Sequence, residues 1–347
     1  LKRVTNKGTP ESVNDISNSA ALVGVSVSPD GSVIICAGQN KVYVSRDSGN
    51  SFFNCKGNTA PVNNPIGNGG SRMECAVAYD ENENGFYNLY LAAESDGVIH
   101  SIWYSEDEGE NWYQIAPAST FGWEPCISAN GQCYYDMVID AVPGQPDNCI
   151  FGGVSVHRWS KTEGTAAWEA DGQWVRLSPS IHADIHRFTW DSNGSLYIGG
   201  DGGMTKSFSS STQFFTVINK GYNATQFYAI GYGPNDEVIG GSQDNGTQYN
   251  DHSSLSGASY TDAYGGDGFE CEVSFLSGGE AILSSVYYGD VNRSDDKGGG
   301  WQPAYAPGAD LGANSIGFYT SMRLFEDDND TDTKDSIQFI PDTSMVI

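Results

Sequence analysis

With 44 acidic residues against 17 basic ones and a net charge of -27, this 347-residue chain repels phosphate backbones and anionic membrane surfaces, and no Lys/Arg stripe offsets that field. The 43 glycines and 12% aromatic residues, beside only 18% charged ones, point to short strands joined by tight turns. No run of 18 apolar residues offers a membrane span. Closely spaced carboxylates favour divalent cations, which relieve their repulsion by chelation, although the same charge also serves as a plain solubility device.

In chain order, the amino-terminal LKRVT reads as the last strand of a four-stranded unit, and LKRVTNKGTP carries no signal-like apolar run. Strands then open successive units at ALVGVSV, ECAVAY, YYDMVID, IHRFTW, QFYAIGY and FECEVSF, with GFYTSMRL a seventh. These openings fall near residues 22, 74, 135, 185, 226, 269 and 317, at intervals of 41 to 61 residues. Behind them come five versions of one hairpin: VIICAGQNKVYVS, NLYLAAESDGVIHSIWYS, CIFGGVSVHRWS, SLYIGGDGGMTKS and AILSSVYYGDVNRS. Short fourth strands follow at WYQIA, WVRLS, FFTVI and WQPAYA. A four-stranded unit of this length, repeated this often, predicts an all-β fold, a single seven-bladed β-propeller over residues 1–347. LKRVT would close its last blade beside GFYTSMRL, SIQFIP and SMVI, leaving no free edge. The rival reading is a segment of a longer protein with an insertion in the seventh blade.

Between third and fourth strands a motif recurs, S-x-D-x-G-x-x-aromatic. It stands at Ser45, Asp47, Gly49 and Phe52, at Ser105, Asp107, Gly109 and Trp112, and at Ser294, Asp296, Gly298 and Trp301. Weaker echoes are SFSSSTQF and SKTEGTAAWEADGQW. The Asp carboxylate suits turn amides, the Gly a positive φ, and the aromatic ring a seat between blades. Three separated copies do not make one active site, so the motif reads as architecture. SQDNGTQY mimics its spacing but follows a second strand, which places it at the opposite end of its blade.

Seven cysteines include no C-x-x-C pair, which argues against a zinc ribbon or a thioredoxin-like site. Cys126 and Cys133 bracket the turn-rich ISANGQ and are a candidate disulfide, compatible with export, and the odd count leaves a thiol over.

The repeated turns are Asp boxes, and on them the chain resembles the sialidase-like (BNR-repeat) propellers. HADIHRFTW, YIGGDGG, QFYAIGY, IGGSQDNGTQY and YGGDGFE resemble the xyloglucanase-like (glycoside hydrolase family 74-like) propellers and related modules of secreted bacterial surface proteins. Some proteins of that appearance leave the cell by the type IX route, and the resemblance implies a secreted or outer-cell-surface location. The xyloglucanase-like enzymes are inverting, and the resemblance implies one Asp in an Asp-x-Gly-Gly-like context from each of two tandem propellers. Asp267 and Asp201 suit one half, with Asp184 an alternative, but the first blade offers no such Asp and no second propeller follows. The sialidase reading needs a cluster of Arg, whereas only Arg72 and Arg187 of the eight lie near blade openings.

Strand parity sets the openings and second-to-third turns at the end away from the Asp boxes. That gathers Glu74, Asp136, His182, Asp184, His186, Asp201, Asp244, Asp267 and Glu270 at one acidic mouth, where propeller ligands usually sit. If His182–His186 is extended, His182, Asp184 and His186 share one face and could hold Zn²⁺, although a hydrogen-bond network between blades fits better. Asp328, Asp330 and Asp332 alternate as in a candidate Ca²⁺ loop but lack its Gly and Glu, so a solvated acidic insertion is favoured. Sequons stand at Asn193, Asn223, Asn245 and Asn292. The favoured function is a non-catalytic, exported binding module for a glycan or protein partner, with no nucleic acid, no membrane insertion, no required cofactor, and Ca²⁺ the one candidate ion. The alternative is a glycoside hydrolase of β-glucan or xyloglucan type using Asp267 with Asp201 or Asp184.

Overall fold

A computed structural model describes residues 2–4, 10–12, 22–39, 41–55, 66, 71–117, 126, 131–162, 172–207, 214–221, 224–251, 260–305, 317–329 and 338–339. They fall into two compact units, residues 1–220 and 221–347. In the first, β1 (Lys2–Val4) pairs with β2 (Pro10–Ser12). Four four-stranded sheets follow in chain order: β3–β6 (Leu22–Val27, Ile34–Gly38, Lys41–Ser45, Phe53–Asn54) and β7–β10 (Arg72–Glu81, Tyr87–Ser95, Val98–Ser105, Tyr113–Pro117). Next come β11–β14 (Val138–Val142, Gln145–Gly152, Val156–Lys161, Gly172–Arg176) and β15–β18 (Ile185–Trp190, Leu196–Gly200, Gly203–Ser207, Phe215–Val217).

The second unit contains β19–β22 (Phe227–Tyr232, Val238–Ser242, Thr247–Asn250, Thr261–Tyr264) and β23–β26 (Cys271–Val273, Ile282–Ser285, Val291–Ser294, Gln302–Tyr305). It also holds the two-stranded pair β27 (Leu324–Phe325) and β28 (Gln338–Phe339). All pairings are antiparallel between neighbours in sequence. Six such meanders among the described residues are the building unit of β-propeller folds.

Within each unit, consecutive sheets pack face to face. Val42 and Val44 meet Leu89, Leu91 and Trp103, while Tyr90 and Tyr104 meet Phe151 and Trp159. Val138 and Ile150 meet Phe188 and Ile198, and in the second unit Ile239 and Tyr249 meet Cys271 and Ile282. Central strands are therefore covered on both sides. β8 buries eight of its nine residues and reads YNLYLAAES without polar alternation, as a strand sandwiched on both faces should.

The S-x-D-x-G stretches form three matching turns between third and fourth strands. Each first Ser hydroxyl donates to its Asp (2.8, 2.9 and 2.7 Å) and accepts the Gly N–H (2.8 Å in all three). The same Asp Oδ1 accepts the N–H of Ser51, Asn111 or Gly300. Hydroxyl and amide donors from Ser51, then Ser45, hold the Asp47 carboxyl down at about 2. Gly49, Gly109 and Gly298 have φ of 79°, 86° and 90°, where a side chain is strained. Trp112 is fully buried and Phe52 nearly so, while Trp301 is half-buried.

A second repeated device, not read from the sequence, closes first-to-second turns. Asp30 accepts the Ser28 and Ser32 hydroxyls and the Ser32 N–H, Asp191 the amides of Asn193 and Ser195, and Asn82 those of Asn84 and Phe86. These are Asx-type turns, which lock each hairpin from its own side chain.

Three sequence expectations need correction. GFYTSMRL was expected to open a seventh four-stranded blade, but residues 317–323 form no strand, and β27 pairs with two residues only. The Thr320 carbonyl and hydroxyl bind Ser285 and Gly289 instead, so this segment spends its hydrogen bonds on a turn. LKRVT was expected as a fourth strand, and β1 pairs with β2. Residues 182–186 are not extended, because Asp184 has φ 64° and its carbonyl accepts the Asp201 N–H (3.1 Å), making a turn ahead of β15.

Cys126 and Cys133 form a disulfide, with Cα atoms 5.4 Å apart. Cys36, Cys55, Cys75, Cys149 and Cys271 are buried free thiols. Burial pushes Cys55 and Cys271 up to about 12 and Cys36 to about 11, so they pack as small apolar groups.

Candidate functional site

Alternating strand direction places, in each unit, the sheet openings and second-to-third turns at the end opposite the S-x-D-x-G turns. Glu74, Asp136, His182, Asp184, His186 and Asp201 belong to the first unit, and Asp244, Asp267 and Glu270 to the second.

In the first unit the acids are tied to the framework. Glu74 accepts from Arg72 at 2.9 Å, and the same guanidinium binds the carbonyls of Tyr135 (2.6 Å), Met137 (3.0 Å) and Tyr134 (3.1 Å). Arg72 thus pins the loop that leads into β11, and its donors are committed. Asp136, on that loop, is fully buried; Gln132 Nε2 donates to its Oδ2 at 2.9 Å and also to Asp184 Oδ1. Burial is the largest cause pushing Asp136 up to about 7, with the Asp184 charge adding to it. Burial first, then the Asp201 charge, also raises Asp184.

His186 sits at a bulge, since Ile185 pairs with Gly200 while Arg187 pairs with Gly199. The extra residue turns the imidazole out of register, a usual effect of bulges. Its Nε2 lies 2.7 Å from Asp201 Oδ1, and its ring packs edge-on against Tyr135 at 4.8 Å. His182 Nδ1 lies 3.0 Å from the Ala183 carbonyl oxygen. A Cβ at Gly202 would collide with the His182 ring, which explains the glycine in GGDGG. Beyond the mouth, Tyr79 donates to Asp140, whose carboxyl burial pushes up to about 7.

In the second unit, Asp267 Oδ1 accepts the Asp244 N–H at 2.7 Å, and Asp244 has φ 61°. Gly241 and Gly268 allow two backbones to touch: a Cβ on Gly241 would overlap the Phe269 carbonyl. IGGSQDNG and YGGDGFE therefore interlock, which accounts for their glycines as architecture. Glu270 Oε1 accepts the Tyr319 hydroxyl at 2.7 Å. Burial is the first cause that raises Tyr319 above the usual phenol range, ahead of that hydrogen bond.

Around these acids stands an aromatic platform that sequence reasoning missed. Phe269 is fully buried, and Tyr228, Phe318 and Tyr319 pack on it at ring separations of 4.8, 5.4 and 4.9 Å. Tyr287 stacks on Phe318 at 6.0 Å and 17°, with Tyr288 beside both. These five outer rings are 37–51% exposed. The YY pair and GFYT were visible as sequence, but only the link from Gly289 to Thr320 brings them together.

The remaining candidates are simple to place. Asp328 is in an exposed turn, and Asp330 and Asp332 lie outside the described residues. Asn193 is exposed, Asn292 is buried and Asn223 is outside the described residues.

No protein-family model matches the chain, and no curated protein matches it. Among solved structures it is similar to YCF48 bound to D1 peptide (15% identity, TM-score 0.38, covering 90% of this chain and 89% of that one). It is also similar to YCF48 from Cyanidioschyzon merolae (14%, 0.39, 90% and 91%). A third likeness is to a mitotic checkpoint complex chain (14%, 0.38, 81% and 76%). At these scores the likenesses carry no inference about ligands.

Proposed function

We propose that the chain is a non-catalytic binding module of the sialidase-like propeller type, whose sheets close into a seven-bladed ring and whose ligand surface includes the aromatic platform of residues 228–319. The carrying observation is a cluster of five exposed rings, three packed on the buried Phe269 and two on Phe318, bordered by Asp267 and Glu270. Tyrosines present large, rigid, amphipathic surface at little entropic cost, which suits the apolar face of a sugar ring, while carboxylates accept from its hydroxyls. The partner is a secreted or surface glycan, and the module acts outside the cell.

The test is a glycan array and titration calorimetry with the wild type and with Tyr287→Ala/Phe318→Ala. Saturable binding to a glycan class, reduced at least about tenfold in the variant at unchanged melting temperature, supports the reading. No binding across the array, or binding indifferent to the variant, overturns it. Capture of a defined secreted protein lost in the same variant would move the proposal from glycan to protein partner.

The hydrolase reading has one geometric observation to draw on, the Asp136 and Asp184 carboxyls side by side on the Gln132 amide, with burial raising Asp136. Their oxygens bind a single Gln132 nitrogen, which holds them closer together than the ~6.5–9.5 Å of an inverting pair and weighs against that reading. Asp201 is occupied by His186 and Asp267 by an amide, which weakens both as acid or base.

A further inference from the structure

The aromatic platform of the second unit has a charge as well as a shape. Gly266 lies against Tyr287, where an added Cβ would stand 3.5 Å from the ring and from its hydroxyl, so Asp267 follows directly beside that ring. Burial, and then the charges of Asp267 and Asp244, raise the Tyr228 phenol. Glu270 accepts the Tyr319 hydroxyl at 2.7 Å, and Tyr319 meets Tyr228 edge to face at 6.0 Å. Two carboxylates thus border one continuous ring cluster.

Their oxygens are not all spent. Asp267 uses Oδ1 on the Asp244 N–H, and its Oδ2 binds no donor among the described residues. Glu270 Oε2 has only a long contact with Arg323, at 3.9 Å, and that guanidinium is tied more closely to Glu272, at 2.9 Å. Arg293 is held by Asp295 at 2.6 Å, and Lys297 lies between Glu237 and Glu280 at 4.0 and 3.9 Å. Lys334, the last Lys or Arg of this unit, is outside the described residues. Among the described residues, then, no uncommitted Lys or Arg is left to receive an acidic ligand.

Aromatic faces carry the negative end of a quadrupole and attract an ammonium group, the more so where carboxylates supply a counter-charge. A ring whose hydroxyl donates to a carboxylate, as Tyr319 does, presents a still more electron-rich face. The same surface repels uronate and sulfate groups. A neutral sugar uses the rings alone, whereas a protonated amino sugar uses the rings and the open carboxylate oxygens together.

We propose that this platform selects glycans carrying free amino groups, a polymer of the glucosamine type, with sugar faces on Tyr287 and Phe318 and ammonium groups at Asp267 and Glu270. The inference rests on the glycan-binding reading above and narrows it to one chemical class.

The test uses the full chain and titration calorimetry at about pH 5.5, where sugar amines are protonated and most carboxylates ionised. A glucosamine oligomer is compared with its N-acetylated counterpart and with a galacturonate oligomer of equal length. The expected result is glucosamine bound at least about tenfold more tightly than the N-acetylated oligomer, with no galacturonate binding. That preference should shrink as salt rises from about 0.05 to 0.5 M, because screening weakens exposed charge pairs. Asp267→Asn/Glu270→Gln keeps acceptors for the Asp244 amide and the Tyr319 hydroxyl, and should lower the glucosamine oligomer to the affinity of the N-acetylated one. Equal affinities in the wild type, or tighter galacturonate, overturn the inference and leave the glycan reading standing. So does a preference that survives the double variant, which assigns it to the general field of the -27 charge. Binding of oligolysine with none of the three sugars gives the surface to a basic peptide and overturns the inference too. Absence of all three sugars from a chain whose array shows another glycan held by Tyr287 and Phe318 sinks this inference alone, and an empty array sinks both readings.

Discussion

The acidic end of the first unit and the corresponding end of the second differ in how their polar atoms are spent. In the first, Arg72 is used up on Glu74 and three carbonyls within 3.1 Å, Asp201 holds His186, and Asp136 is sealed from solvent. In the second, five aromatic rings stand 37–51% exposed over a buried Phe269. Burying a charge demands a partner, while exposing large apolar rings costs solubility and is kept where a ligand covers them. Position at the same end of a blade therefore does not imply the same role: one set of acids braces loops, the other borders a surface.

The largest expected effect contrasts the two units through their boxed tryptophans. Trp112 is fully buried and Trp301 half-buried, so Trp112→Ala should cost about 3–5 kcal/mol of unfolding free energy and Trp301→Ala clearly less. Chemical denaturation followed by circular dichroism measures both. Equal losses would show that the half of the Trp301 ring left open here is covered in solution.

Next is Arg72. Arg72→Met keeps the stem but leaves Glu74 and the carbonyls of the β11 loop without their donor, at about 2–3 kcal/mol. The loop should become protease-sensitive between residues 131 and 137. A variant as stable as the wild type would mean the loop is held by the disulfide alone.

A smaller effect sharpens the role of burial in the first unit through pH. The Asp140 carboxyl is pushed from 3.8 to about 7, chiefly by burial, so the folded state holds its proton more tightly than the unfolded one. Its contribution is fully present below pH ~4 and is lost as pH rises towards 7. Asp140→Asn should match the wild type near pH 4, exceed its melting temperature at pH 8, and flatten the slope between. A variant less stable than the wild type at pH 8 would show that the ionised carboxylate is paired after all.

Much of the blade pattern was legible because its signals are local. Box spacing, glycine positions and alternating apolar runs depend on residues within one hairpin, and Ser45–Phe52, Ser105–Trp112 and Ser294–Trp301 fold as their chemistry suggests. The candidate site was legible as residue types at blade openings. Its wiring was not, since the bulge at His186 and the left-handed turn at Asp184 follow from pairing with β16, which no local pattern encodes. The expected face shared by His182, Asp184 and His186 failed for that reason. GFYTSMRL failed similarly: its apolar alternation is strand-like, yet Thr320 and its neighbours are claimed by the β24–β25 turn.

The sequence by itself determined the repeating four-stranded unit, the turns that close it and the strongly acidic surface, because each is set by residues a few positions apart or by composition. Which acids are buried, which are paired, and where Tyr228, Tyr287, Phe318 and Tyr319 assemble was decided by tertiary structure alone. Burial and ring contact are properties of segments up to about ninety residues apart, and only the packing of one sheet on the next brings them within reach.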